Sequence, residues 1–315
     1  MSKGKRSITD SFLRLLENDS SIQNVLLKII QQDIDYCFEP RSNHVSVYYR
    51  GKVMIELKPH RDSSIECTFK GSARGDKDVS FLSSELTKEL ITKYRKEIDS
   101  YLAATKEWPE ARFQFRIAHA NSVNVSSNDC FLSVDSEYYQ RKKDGWRLDI
   151  VAINKEKGAL SLIEVKYGND SLRTKRPDMH GRNGNPGILK HLEDFMVVRR
   201  SQPILQTMKT DFERVLIQKN KLNLIGEMPD YLDYGLNEVI FLFVICNYDF
   251  SDNRNLKEEL DEIKADKELF QVCKNNTFFY FANYEEQCMR AQEYKLISDS
   301  FLDFETVMKR YSSKR

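Results

Sequence analysis

The chain has 315 residues, and its 49 Lys and Arg against 48 Asp and Glu leave a net charge of +1, which excludes a polycation; any nucleic-acid surface must be a local patch. An apolar fraction of 40% can fill one large core or two smaller ones. Six scattered cysteines without a C-x-x-C pair, and five histidines without H-E-x-x-H spacing, argue against a disulfide framework or zinc knuckle and for a reduced, cytoplasmic setting.

The opening "MSKGKRSITD" is basic but lacks the apolar core of a signal peptide. Two short helices are expected at about 8–18 and 21–32, the second capped by Ser20 and Ser21. Alternation follows: "HVSVYYRGKVMIELK" reads as a hairpin turning at Arg50–Lys52, and "SIECTFK" as a third strand. The loop "GSARGDKD" marks a boundary, so residues 1–78 form an N-terminal region of helix and β-meander. Leu82, Leu86, Leu90, Tyr94 and Ile98 share a stripe and predict a helix over 81–103. Pro109 closes it, and "ARFQFRIAHA" alternates like a further strand.

Three strand-like runs come next, "FLSVDSEYY", "WRLDIVAI" and "ALSLIEVKYG", joined by the turns "KKDG" and "NKEKG". A basic Gly/Asn-rich loop, 168–187, leads to a helix starting at Asn185–Pro186 and a second helix at about 203–221. Val239–Cys246 is too short to span a bilayer but suits a strand buried on both faces, so no membrane is expected. Beyond 250 come a charged helix after Asp252, a strand at "TFFYFA" and a long helix near 284–310, an extension over 251–315. The whole reads as α/β or mixed α+β, a central mixed sheet flanked by helices.

Glu-x-Lys ends an apolar run twice, at Glu56–Lys58 and at Glu164–Lys166. If the second run pairs with "WRLDIVAI" around Lys155–Gly158, Val151 faces Leu162 and Asp149 faces Glu164. Opposed residues project to one side, so Asp149, Glu164 and Lys166 converge at the end of a buried face. Around Glu56 no acid lies opposite in either register, which leaves the first copy as a solvated ion pair. Two carboxylates side by side repel unless positive charge intervenes; Lys166 supplies one charge, and a hard divalent cation is the natural second.

Asp149, fourteen intervening residues and Glu164-Val165-Lys166, on consecutive strands followed by a helix, resemble the PD-(D/E)xK, or restriction-endonuclease-like, nuclease superfamily. Leu148 stands where the family name has proline. The resemblance covers about residues 81–247, and it implies a nuclease core over 79–250. It also implies Asp149, Glu164 and the Val165 carbonyl as ligands of Mg2+ or Mn2+, and Lys166 as the group that orients or helps deprotonate the attacking water. The family often adds a glutamate from the preceding helix. Glu85, Glu89 and Glu97 qualify, Glu97 first because it flanks the apolar stripe, with Glu137 on the next strand as the alternative.

Arg173, Lys175, Arg176, His180 and Arg182 follow the site directly and suit phosphate contacts, against a reading as plain polar connection. On the next helix, Lys190, His191 and Asp194 project toward the site in the family topology; a Lys190–Asp194 pair on a solvated face is the plainer reading of two of them. Arg141, Lys142 and Lys143 form a basic hairpin tip. The expected activity is metal-dependent phosphodiester hydrolysis by a DNA endonuclease, DNA over RNA on family frequency, with a homodimer left open. The alternatives are a non-catalytic nucleic-acid- or protein-binding module on the same fold, and a hydrolase of another phosphoester.

Overall fold

The computed structural model describes residues 6–71, 76–105, 109–123, 125–139, 147–175, 186–228, 238–284 and 290–312. Helix α1 (Asp10–Asn18) begins where Thr9 Oγ1 accepts the Phe12 N–H at 3.2 Å, and it buries Phe12, Leu13 and Leu16. The second helical stretch is a π turn over Ile22–Leu27 that continues as α2 (Lys28–Gln32). Ser21, an expected cap, makes no capping bond; Asp19 Oδ1 takes the Ile22 N–H at 2.9 Å instead. A carboxylate does this well because a helix N-terminus carries partial positive charge.

The first sheet is an antiparallel meander of β1 (Tyr36–Arg41), β2 (His44–Tyr49), β3 (Lys52–Pro59), β4 (Ile65–Phe69) and β5 (Val79–Leu82), in that spatial order. Arg50 and Gly51 turn β2 into β3 with φ of 49° and 84°. The predicted helix over 81–103 starts late, because Leu82 ends β5, Ser83–Glu85 form a 3-10 turn, and α3 spans Lys88–Thr105. Phe12, Leu16, Val47, Ile55, Cys67, Ile91 and Ile98 sit together in the core that the helices close over this sheet.

The segment read as a strand is helix α4 (Pro109–Ala120). Pro109 opens it rather than closing its predecessor, as proline suits a first helical position. Residues 113–120 are all buried, so both sides of the helix are covered and no polar stripe betrays its period. Even Arg116 is fully buried, its Nε 2.5 Å from Asp35 Oδ1.

The second sheet contains β6 (Phe131–Tyr139), β7 (Arg147–Asn154), β8 (Ala159–Tyr167), β9 (Val239–Cys246), β10 (Thr277–Ala282) and β11 (Leu302–Asp303), in spatial order β11-β10-β9-β8-β7-β6. β6, β7 and β8 are an antiparallel meander, whereas β8–β9 and β9–β10 are parallel. Parallel neighbours need crossovers. Helices α5 (Ile188–Arg200) and α6 (Gln202–Lys221) supply the first, and α7 (Arg254–Ala265) and α8 (Lys267–Asn276) the second. One sheet face packs Val151, Leu162, Phe241 and Phe243 with Leu192, Phe195, Met208 and Leu260. The other packs Ile150, Ile163, Val165 and Leu242 with Phe113 and Ile117 of α4.

Two further expectations change. Asn185 lies outside the described residues, and α5 begins at Ile188 behind Gly187, with Pro186 ahead of the helix. The long helix near 284–310 is broken: Ala291–Tyr294 and Ser298–Ser300 are 3-10 turns, and only α9 (Phe304–Tyr311) is regular. Asn121 explains part of this, since its Nδ2 donates to Tyr294 O at 3.1 Å and its Oδ1 accepts the Leu296 N–H at 3.1 Å. A side chain thus takes backbone bonds that a helix would otherwise supply.

Candidate functional site

The β7–β8 ladder pairs Asn154 with Ala159 and Val151 with Leu162, the register counted from the sequence. Its outermost pair is Ile150 with Ile163; one step further lie Asp149 and Glu164. Asp149 Oδ2 there accepts the Val165 N–H at 3.0 Å, a side chain standing in for a ladder carbonyl. β8 continues on its other edge against β9 as far as Tyr167 and Cys246. The site therefore sits at a fork where β7 lets go of β8. Gln114 of α4 steadies it by donating from Nε2 to Asp149 O at 2.8 Å.

Asp149, Glu164 and Lys166 are 3%, 2% and 3% exposed, so their charges must be answered within the protein. Lys166 Nζ lies 2.9 Å and His191 Nε2 2.8 Å from the same oxygen, Glu164 Oε1. Glu164 Oε2 is buried and has no hydrogen-bond partner among the described residues. Burial pushes the Glu164 carboxyl up, but His191 and Lys166 outweigh it and hold its pKa at about 2. Asp149 goes the other way: burial, then the Glu164 charge, push it well above the usual carboxylate range. Burial works against the Lys166 ammonium, yet Glu164, Glu110 and Asp149 hold its pKa above the ordinary lysine value.

Glu110 was not anticipated. It sits in the first turn of α4, and its Oε2 accepts the Tyr167 N–H at 3.2 Å, at the end of β8. Burial raises its pKa; the Lys166 charge opposes this, and the Glu164 charge adds to it. The sequence "WPEARF" held the signal, a proline and an acid opening a helix. The acids expected in this role lie elsewhere. Glu85 Oε1 accepts the Leu82 N–H in the turn after β5, and Glu89 and Glu97 are exposed on α3, which packs on the first sheet. Glu137 does approach: Arg147 Nη1 is 3.8 Å from its Oε1, while Arg147 Nη2 is 3.4 Å from Asp149 Oδ1.

On α5, Lys190 pairs with Asp194 on the outer face, and its neighbour His191 points into the site. The Arg173 guanidinium is turned to Glu258 and Glu262 of α7. Lys175 is exposed; Arg176, His180 and Arg182, like the tip residues Arg141, Lys142 and Lys143, lie outside the described residues. Glu56 faces Ser46 and Thr68, and pairs with a half-exposed Lys58 at 3.1 Å. Glu66 stands opposite Lys58 on β4, but Lys58 and Glu56 are partly exposed and no acid stands opposite Glu56 itself, so that copy remains a surface ion pair.

Among the described residues, no group of three or more His, Cys, Asp or Glu side chains is arranged to hold a metal ion. At the fork, the described residues offer the two buried carboxylates of Asp149 and Glu164, with one oxygen of Glu164 unpartnered. That set fits a hard cation which keeps several waters and needs only one or two protein carboxylates, and does not fit a closed all-protein cage. In comparison with known proteins, no family model, no curated protein and no solved structure matches the chain.

Proposed function

We propose that this protein is a divalent-metal-dependent nuclease hydrolysing phosphodiesters at the fork between β7 and β8. The observation that carries the reading is the pairing of Asp149, whose buried anion is disfavoured, with the unpartnered Glu164 Oε2. Both features call for positive charge beyond Lys166. Asp149, Glu164 and the Val165 carbonyl would hold Mg2+ or Mn2+, which when bound would polarise the phosphoryl oxygen and lower the pKa of water. Lys166, held protonated by three nearby carboxylates, acts as a donor to the phosphate or to the attacking water rather than as a base. Gln114 and the Val165 N–H fix Asp149 in place, and His191 Nε2 lies 2.8 Å from Glu164 Oε1.

The test is cleavage of labelled DNA and RNA, with a nucleotide panel for other phosphoesters, in Mg2+ or Mn2+. Asp149→Ala, Glu164→Ala and Lys166→Ala each lower the rate by on the order of 10²–10⁴-fold, as loss of a group acting in the transition state does. Unchanged cleavage in all three removes the site. One observation favours a second reading, a non-catalytic nucleic-acid- or protein-binding module: the Lys166 ammonium already pairs with Glu164 Oε1 at 2.9 Å without a cation. Metal-independent binding without cleavage selects that reading.

A further inference from the structure

We infer that Arg147 grips the substrate phosphate at the mouth of the site, and that the N-terminal sheet holds it there through Glu137. The inference rests on the phosphodiester reading above and names a substrate contact and its support.

Arg147 is the first residue of β7, two before Asp149, so the two side chains leave the strand on the same side. The three central residues are buried, but the Arg147 side chain is 59% exposed. Lys166 is buried and already gives one of its N–H bonds to Glu164 at 2.9 Å, whereas the exposed Arg147 guanidinium meets its two carboxylates only at 3.4 and 3.8 Å. A guanidinium has five N–H donors in a planar fork, and two long contacts leave donors for a bidentate phosphate. The carboxylates on either side aim the fork without satisfying it.

Glu137 in turn is over-determined by the first seventy residues. It has φ of +54°, a conformation that costs a non-glycine residue on the order of 1–3 kcal/mol and persists only where its surroundings enforce it. The Arg6 guanidinium donates to Glu137 O at 2.7 Å, and Arg41 donates to Ser136 O at 2.8 Å. Tyr48 OH donates to Glu137 Oε2 at 3.0 Å, and its ring stacks on Phe115 at 4.4 Å. Three side chains from three parts of the N-terminal region therefore fix one strained residue, whose carboxylate faces Arg147. Glu137 and Tyr48 are positioning residues; Arg147 is the contact.

The experiment uses the full chain and a labelled DNA duplex, with anisotropy in Ca2+ for binding and steady-state cleavage in Mg2+. Arg147→Gln raises KM roughly ten- to hundredfold with kcat little changed, the size of a lost charge-assisted hydrogen bond. It also reduces the slope of log affinity against log salt by about 1, which a folding defect does not mimic. Arg147→Lys restores the salt slope but not KM, since an ammonium lacks the fork. Glu137→Gln and Tyr48→Phe raise KM by smaller factors, and neither adds to Arg147→Gln. An Arg147→Gln protein with wild-type KM and salt slope overturns the inference while leaving the nuclease reading intact. A wild-type protein that neither binds nor cuts any substrate overturns both.

Discussion

Asp149 and Glu164 lie one step beyond the last ladder pair of β7 and β8, and their environments push them apart: Glu164 is held ionised down to about pH 2, and Asp149 resists ionisation. A third buried acid shows what the same physics does away from the site. Asp211 on α6 is 6% exposed, and its pKa is raised to about 6, first by burial and further by the Asp135 charge, although it accepts the Arg6 N–H. The folded protein holds that proton more tightly than the unfolded chain does. The stabilisation is therefore complete below the unfolded value near 3.8 and is lost as pH rises through about 6. Asp211→Asn keeps an oxygen for the Arg6 N–H and cannot ionise. Its Tm should exceed the wild-type value at pH 8 and converge on it at pH 4; a difference of the same size at both ends would rule out titration as the cause.

Helix α5 is placed by its N-terminus. Glu259 on α7 is fully buried, and its two oxygens accept N–H groups from Thr174 and Leu189 and the Thr174 hydroxyl, at 2.6, 2.7 and 2.7 Å. Gly187 makes this approach sterically open: a Cβ there would stand 2.2 Å from Thr174 N and 2.3 Å from Leu172 O. Gly187→Ala should lower Tm by several degrees and displace His191 from Glu164, which under the proposed function lowers cleavage to match; a variant with wild-type Tm would show that the loop gives way freely. How far such elements could be read in advance depended on how they bury. The β7–β8 register was legible because alternation and a short turn fix which residues oppose. Strand β9 was legible because a short, wholly apolar run suits a strand covered on both faces. Helix α4 was not, because a helix buried all round loses its 3.6-residue stripe, and the alternation of Phe113, Phe115 and Ile117 imitated a strand. Missing α4 also hid Glu110. The tail misread as helix takes its shape from Asn121, a partner about 175 residues away that no local pattern announces.

At the scale of the molecule, the two sheets are fastened by polar groups. Lys219 of α6 reaches Glu39 of β1 at 3.0 Å, Arg41 reaches Asp135 at 2.9 Å, and Arg116 reaches Asp35. Gln218 bonds both the N–H and the carbonyl of Ile8, at 3.1 and 2.8 Å. Breaking one buried pair by removing a partner costs about 3–5 kcal/mol, so deleting the first sheet removes several supports at once. A fragment of residues 79–315 should show no cooperative melting, while the full chain gives one calorimetric transition whose enthalpy matches its van't Hoff value. A cooperatively melting fragment would sink this expectation. Leu222 and Leu224, just past α6, complete the core under the first sheet. During translation, the last strand of that sheet, ending at Leu82, precedes Leu224 by about 140 residues, or roughly 7–30 s at 5–20 residues per second. For that interval the nascent sheet carries an apolar face that its last two leucines have yet to seal, so the first seventy residues reach their final burial only after the chain beyond them has been made.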